Sequence, residues 1–232
     1  MKQIFLVIFS ILSSSVIAQD MTKGLIMPDP DGAFKSCCVY IPTSGLVAYD
    51  KPNGRQIAKL EPGDPDNSGE VYKAFIKSDR DLTEFDYANL YMVGYEVMAI
   101  VYVDKQGEFV KTSNGLWLGV GELKSKGLIL KNWMDYLVNT KDVLGWYAND
   151  PGLNLRAEPT TNAKILATMK GDLWEITPTK ETKGLWCKVS VKEYRKHPCS
   201  GESDLVIQTL TGWVKLLSDE QTPNVWAYGK GC

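Results

Sequence analysis

The side chains best suited to chemistry lie close together near the C-terminus. His197 is the one histidine of the chain, and Cys199-Ser200-Gly201 follows it after a proline. A thiol beside an imidazole could serve nucleophilic catalysis, in which the imidazole takes the thiol proton. Nucleophile and base normally come from separate elements of the fold, however, and here both lie on one short segment. The spacing therefore disfavours catalysis, and we expect no enzymatic activity.

Metal and cofactor sites are weakly indicated as well. Cys187, His197 and Cys199 lack the paired C-x₂-C spacing of structural zinc. A polar segment, residues 65–89, carries a cluster of acidic residues, namely Asp79, Asp81, Glu84 and Asp86. A calcium loop is one interpretation, but the spacing does not match an EF-hand and no glycine lies at the turn position, which favours a solvated loop or short helix. The sequence predicts no metal and no cofactor.

The aromatic residues are the other candidates for a site. The chain has seven tryptophans and eleven tyrosines, and flat rings bury much area and stack on sugars or peptides. Four tryptophans lie at strand or closing positions and are predicted to be core, namely Trp117, Trp133, Trp186 and Trp213. Two further pairs either pack the halves of the chain together or form an exposed ligand platform, namely Trp146 with Tyr147 and Trp226 with Tyr228.

The first 19 residues have the pattern of a secretory signal peptide. Lys2 precedes an apolar run over residues 4–12, and Val16-x-Ala18 fits a small-residue cleavage site. The run is too short for the roughly 30 Å of a bilayer core. No cysteine follows directly that could carry a lipid, and no later segment is apolar enough to cross a membrane. We expect an exported protein without a membrane anchor, periplasmic or secreted.

Charge excludes one class of partner. Of 26 basic residues only Lys2 lies in the signal, which leaves 26 − 1 = 25 basic against 28 acidic residues. A near-neutral chain without a basic run has no electrostatic footprint for nucleic acid.

Five cysteines in an exported chain imply an oxidising compartment and a structural role for disulfides. Cys37 and Cys38 are adjacent, so a bond between them would be strained. Cys187 with Cys199 is the preferred pair, and Cys232 could reach Cys37, Cys38 or Cys199. The odd number leaves at least one cysteine unpaired or paired between molecules.

The elements that would position these residues are short β-strands. Leu153 and Leu155 alternate with polar neighbours, which is the period-two pattern of a half-buried strand. Residues 158–162 form a proline-containing turn, residues 165–169 a second strand, and Gly171-Asp172 another turn. A Trp-bearing strand, Leu185-Trp-Cys-Lys-Val189, and Gly212-Trp-Val214 follow.

This succession resembles the bacterial SH3-like (SH3b) domain family over residues 145–217. In that family Arg156 is mostly structural, so it is not counted as a ligand contact. Cys199-Ser-Gly also resembles the nucleophile motif of peptidoglycan-cutting cysteine peptidases. The base in those peptidases lies on a distant strand downstream, and no stretch remains here for a catalytic domain.

The chain also contains an internal repeat. Residues 45–52 and 152–159 share a glycine and a proline seven positions apart, and each is followed by a short apolar run and Gly-Asp. Tyr49 stands where the second copy has Arg156. Residues 127–130 are predicted to take the place of Gly212-Trp-Val214. Residues 132–137 resemble the 3₁₀-like turn that closes such barrels, as do residues 216–219. The linker, residues 139–142, is so short that the two copies are expected to pack together.

These patterns predict a mainly β protein of two tandem SH3-like small β-barrels, the first diverged and carrying the polar insert. We expect a signal peptide at 1–19, an irregular lead-in at 20–36, the diverged domain at 37–138 and the second domain with its tail at 143–232. The resemblance implies a non-catalytic cell-envelope module that binds peptidoglycan or its stem peptides. The alternative is a periplasmic protein that recognises or inhibits another exported protein, and a cysteine hydrolase is the third and least favoured.

Overall fold

The fold is mainly β, as predicted. A computed structural model describes residues 20–29, 38–39, 41–63, 73–94, 97–141, 143, 145–203 and 205–227. The expected signal peptide, Cys37, Tyr228 and Cys232 therefore lie outside the described residues, as does the side chain of Cys38. Within the described residues all pairings between strands are antiparallel except that of Cys38–Val39 with Val97–Gln106.

The first sheet is built from strands β1 to β11: Gly24–Pro28, Cys38–Val39, Leu46–Tyr49, Gln56–Pro62, Ala74–Lys77, Leu82–Glu84, Leu90–Gly94, Val97–Gln106, Phe109–Thr112, Trp117–Gly119 and Leu128–Asn132. Its order is β11-β1-β8-β9-β10-β3-β4-β5-β6, and β2 and β7 also pair with β8. Helix α1, Val120–Ser125, lies between β10 and β11, and helix α2, Trp133–Asn139, follows β11. A 3₁₀ turn, Tyr87–Asn89, precedes β7.

The second sheet is built from strands β12 to β16: Trp146–Arg156, Ile165–Lys183, Trp186–Tyr194, Val206–Lys215 and Val225–Ala227. Its order is β13-β14-β15-β12-β16, and β13 also pairs with β12. Because β12 contacts β13, β15 and β16, it is the central strand of this sheet. A 3₁₀ turn, Pro198–Ser200, lies between β14 and β15.

Three local predictions are wrong. The lead-in is not irregular throughout, because β1 pairs with both β8 and β11 and fully buries Leu25 and Ile26. The polar insert is not only a loop or short helix over its described part, because β5 and β6 extend the sheet there, while Tyr87–Asn89 forms the 3₁₀ turn. Residues 133–139 form an α-helix instead of a 3₁₀ turn, and Asn132 caps it by accepting a hydrogen bond from the Asp135 N–H at 2.9 Å.

The two sheets share a pattern of strand pairing that begins at a glycine. Gly45 has φ +66° and Gly152 has φ +120°. A Cβ on Gly45 would lie 2.6 Å from the carbonyl oxygen of Leu60, and one on Gly152 would lie 2.7 Å from that of Met169. Both positions therefore need glycine for the same two reasons, backbone conformation and close approach of the facing strand.

The same β-bulge follows in both sheets. The pairing of β3 with β4 shifts between Ala48 and Tyr49, and that of β12 with β13 shifts between Leu155 and Arg156. Each shift leaves one extra residue on the second strand, Ile57 in one sheet and Leu166 in the other, and both are exposed apolar side chains. A β-bulge at the same place in both sheets is a specific similarity between them, because a bulge changes where the side chains point and interrupts regular pairing.

The tryptophan that faces the bulge is also shared. Trp117 of β10 pairs with Tyr49 and Lys111. Trp213 of β15 pairs with Arg156 and Lys188. Strand β10 is therefore the counterpart of the Gly-Trp-Val strand, and the assignment of that role to residues 127–130 is wrong. Those residues fall mainly in β11, which pairs with β1 as β16 pairs with β12.

Helix α2 joins the two sheets through an aromatic chain. Trp133 contacts Tyr91 and Tyr136, with ring centroids 4.9 and 6.2 Å away, and the two tyrosines contact each other at 5.8 Å. Tyr136 in turn lies 6.0 Å from Trp146 of the second sheet. One hydrophobic cluster contains residues of both sheets, whereas a second cluster is confined to the first. The two halves therefore pack against each other through a shared core.

Among the described residues, no helix has the length and apolar character needed to cross a bilayer.

Candidate binding surface

Three of the predicted aromatic residues, Trp146, Tyr147 and Trp226, lie where the start of β12 pairs with β16, and they are divided between the two faces of the sheet. Strand β16 pairs with β12 so that Tyr147 faces Trp226 and Trp146 faces Ala227. Because directly paired residues point to the same face of a sheet, Tyr147 and Trp226 share one face and Trp146 takes the other. Tyr228 lies outside the described residues.

Trp146 faces the junction between the two sheets and is not a ligand contact. Its side chain is 2% exposed and packs beside Tyr136 of α2. The sequence left packing and binding open for this residue, and the structure places it in packing. Trp146 is buried by a contact between separate elements, because α2 precedes β12 in the chain and folds back onto it.

Trp226 is the exposed member of the aromatic set. Its ring centroid lies 4.5 Å from that of Tyr147 at an interplanar angle of 47°. Tyr147 is 1% exposed, whereas Trp226 is 44% exposed. The buried tyrosine thus packs against one side of an indole that is otherwise open to solvent. This contact restricts the rotamers of Trp226, so a ligand that binds the indole loses less side-chain entropy. Among the described members of the expected platform, Trp226 on its Tyr147 support is the exposed one.

Of the four tryptophans predicted as core, two are buried and two are half-buried. Trp117 and Trp133 are buried, whereas Trp186 and Trp213 lie on the outward face of the second sheet. Their neighbours Cys187 and Val214 point inward instead. The prediction is therefore wrong for Trp186 and Trp213, because side chains alternate between the two faces of a strand and these two point outward.

Arg156 has the structural role that the sequence suggested. Its Nη1 donates to the carbonyl oxygen of Ala163 at 2.8 Å. The backbone of the same loop closes through the Ala157 N–H, which donates to the Lys164 carbonyl oxygen at 3.0 Å. The guanidinium therefore ties the proline turn to the end of β12.

The preferred disulfide is wrong, because Cys187 is a free and fully buried thiol. Its sulfur donates to the carbonyl oxygens of Lys188 and Thr179 at 3.2 and 3.4 Å. Cys199 is engaged in a disulfide with a sulfur other than that of Cys187. Burial, with a smaller effect of the Glu181 carboxylate, raises the pKa of the Cys187 thiol to about 11. A protonated, enclosed thiol is a poor nucleophile at neutral pH.

His197 is held by backbone and charge contacts of its own. Its Nδ1 accepts from the Cys199 N–H at 3.1 Å, and its Nε2 lies 3.9 Å from an oxygen of Asp172. With Nδ1 occupied as an acceptor, the neutral ring carries its proton on Nε2, towards the carboxylate. The free thiol of the described residues, Cys187, is fully buried, so the geometry of this part of the chain gives the hydrolase interpretation no support.

The acidic residues of the insert do not converge. The main-chain carbonyl oxygen of Asp81 closes a tight turn by accepting from the Ser78 N–H at 2.9 Å, and the Glu84 carboxylate pairs with the Lys73 ammonium at 3.3 Å. Within the described residues no group of three or more His, Cys, Asp or Glu side chains could hold a metal ion. The calcium interpretation therefore has no geometric support in this part of the chain.

A groove at the junction of the two sheets was not predicted. It has a volume of about 460 Å³ and lies between α2 and the β13–β14 hairpin. Met21, Met134 and Val138 give it apolar walls, and Asp135 and Lys180 are polar members of its lining. No local signal could have shown it, since its two sides are about 45 residues apart in the sequence.

No protein-family model, curated protein or solved structure matches the chain.

Proposed function

We propose that the chain is an exported, non-catalytic binding protein of two SH3-like units, whose second unit holds peptidoglycan or its stem peptides. Three features support the two-unit part of the proposal: the equivalent glycines, the equivalent bulges and the equivalent tryptophans of the two sheets. A β12 strand that pairs with both β13 and β15 is compatible with a small barrel.

The observation that carries the binding proposal is the exposure of Trp226 on its Tyr147 support. A supported, solvent-facing indole is the group that stacks on a sugar ring or an extended peptide at low entropic cost. The corresponding strands of the first unit, β1 and β11, contain no aromatic residue. Ligand binding is therefore assigned to the second unit alone.

Co-sedimentation with insoluble peptidoglycan sacculi tests the proposal. The mature chain, residues 20–232, should sediment with sacculi, and Trp226→Ala should lose most of the bound fraction while Trp226→Phe retains part of it. Met92→Ala is the matched control, because Met92 is an exposed apolar residue (54%) of the first unit. Equal sedimentation of wild type and Trp226→Ala would remove Trp226 from the site, and wild-type protein that stays in solution would refute wall binding.

A second function, recognition of another exported protein, is favoured by the junction groove. Its lining combines apolar side chains with Asp135 and Lys180, which suits a protein segment that carries both apolar and charged residues. Val138→Lys would place a charge in that groove. If this variant loses a partner that Trp226→Ala retains, the protein-recognition function is the correct one.

A further inference from the structure

The two units differ in the hairpin that leads to their equivalent tryptophans. In the first unit the hairpin closes within residues 113–115, where the Thr112 N–H donates to the Leu116 carbonyl oxygen at 2.8 Å. In the second unit the chain continues through residues 190–211 before it returns to Trp213. We call residues 190–211 the arm. It comprises the end of β14, the turn with His197 and the first part of β15.

The arm is a folded extension of the sheet. Val191 is fully buried, and Tyr194 is 8% exposed with its hydroxyl donating to the Glu175 carboxylate at 2.5 Å. Strand β14 of the arm lies between β13 and β15, so β15 forms its outer edge. In the described part of the chain, β15 is paired on its other side only at Trp213, with Arg156 of β12.

Residues 206–211 of β15 therefore form an open strand edge, and its composition is unusual for an edge. Val206 and Ile207 are 47% and 54% exposed. Every residue from 205 to 214 is uncharged, and none is proline. Natural edge strands are normally guarded by charges, proline or short length, because open backbone groups recruit other strands.

Strand β6, at one end of the first sheet, has such protective features. It is three residues long, Arg80 and Asp81 precede it, and its Glu84 pairs with Lys73 at 3.3 Å. The β15 edge has one guard, a bulge that leaves Ile207 unpaired with β14. The rest of the edge, residues 208–211, continues in regular register with β14.

We propose that this edge pairs antiparallel with the same edge of a second copy of the chain, giving a two-fold symmetric dimer with a continuous sheet. A two-fold axis perpendicular to the sheet allows registers centred on Gln208 or on Thr209. The first places Val206 opposite Leu210 and Ile207 opposite Thr209. The second places Ile207 opposite Thr211 and Gln208 opposite Leu210. Neither brings two charges together, which is what self-pairing requires.

Sedimentation velocity of the mature chain, from the low to the high micromolar range, tests the proposal. Wild type should show a monomer–dimer equilibrium. The double variant Ile207→Lys, Thr209→Lys places lysines opposite each other in both registers, so its dissociation constant should rise about tenfold or more. The matched control is Met92→Lys, Thr177→Lys, which adds the same charge at exposed positions away from the edge.

Hydrogen exchange separates edge pairing from other association. Amide protection at residues 206–211 should increase with protein concentration in wild type and in the control variant but not in the edge variant. Near-ultraviolet circular dichroism identifies a variant that fails to fold. A wild-type chain that stays monomeric throughout, or an edge variant that dimerises as tightly as wild type, would overturn the proposal.

Discussion

Trp117 and Trp213 occupy the same place in the two sheets and have different surroundings. Trp117 is 6% exposed, with the Lys111 ammonium 5.8 Å from its ring and Tyr49 opposite. Trp213 is half-buried, with Arg156 opposite. The comparison shows that one pairing scheme can bury a tryptophan or leave it near the surface.

The two units also differ in the elements that each adds to the shared strands. The first unit carries β5, β6 and β7 between β4 and β8, whereas in the second unit β13 is continuous. The second unit carries the arm and the exposed Trp226. The shared pattern therefore accounts for the framework, and we locate recognition at features of the second unit that the first does not have.

The largest expected effect on stability is a difference between the two equivalent tryptophans. Trp117→Ala should lower the free energy of unfolding by about 3–5 kcal/mol, because it empties a buried site. Trp213→Ala should cost about 1–2 kcal/mol, since part of its ring already meets water. Urea unfolding of both variants measures the difference. Equal losses would show that the two tryptophans are equally buried in solution.

The two glycines should respond alike. Gly45→Ala and Gly152→Ala each force an L-residue to a positive φ and against a facing carbonyl oxygen, so each should cost about 1–3 kcal/mol. Thermal unfolding of the two variants, with Gly107→Ala as a positive-φ control that has open space around it, tests this. If only one of the two is destabilised beyond the control, the units are not equivalent at this position.

A smaller effect concerns Cys187, whose counterpart in the first unit is the buried Val110. Cys187→Val should change the stability at pH 7 by about 1 kcal/mol or less, because volume and polarity nearly match.

The pH dependence of that variant is more informative. The folded-state pKa of Cys187 is raised from 9.0 to about 11, so wild type keeps its full stability below pH 9 and loses stability as the pH rises from 9 to 11. Buried tyrosines with raised pKa values also lower the stability at alkaline pH. Their contribution is the same in Cys187→Val, so the difference between the two proteins reports on Cys187 alone. Identical pH profiles for the two proteins would show that the thiol is not buried.

The smallest expected effect on stability is at the bulges. Ile57→Ser and Leu166→Ser replace exposed apolar residues at equivalent positions, so each should alter the free energy of unfolding by no more than about 0.5 kcal/mol. Guanidinium unfolding is the measurement. A larger loss at one position would mean that its bulge residue is covered in solution.

The sequence was sufficient where the signal is local. Gly45, Gly152 and the proline turns could be aligned because glycine and proline restrict the backbone wherever they occur. The strands around Leu153 and Trp186 followed from composition and alternation, and the structure confirms both.

The remaining features depend on contacts between distant segments. Trp146 is buried by α2, β1 inserts between β8 and β11, and Cys187 points into the core without a sulfur partner. None of these follows from a window of neighbouring residues. Trp226 was identified from its residue type, but its exposure beside a buried Tyr147 became visible only in three dimensions.

The most direct test of the central claim is to observe the indole of Trp226 while a ligand binds. In ¹⁵N-labelled mature protein the seven tryptophans give separate indole N–H signals, and Trp226→Phe assigns the relevant one. Soluble disaccharide-peptide fragments of peptidoglycan should shift the Trp226 signal and leave that of the buried Trp117 in place. A Trp226 signal that stays unchanged while another indole shifts, or no shift at any indole, would contradict the account.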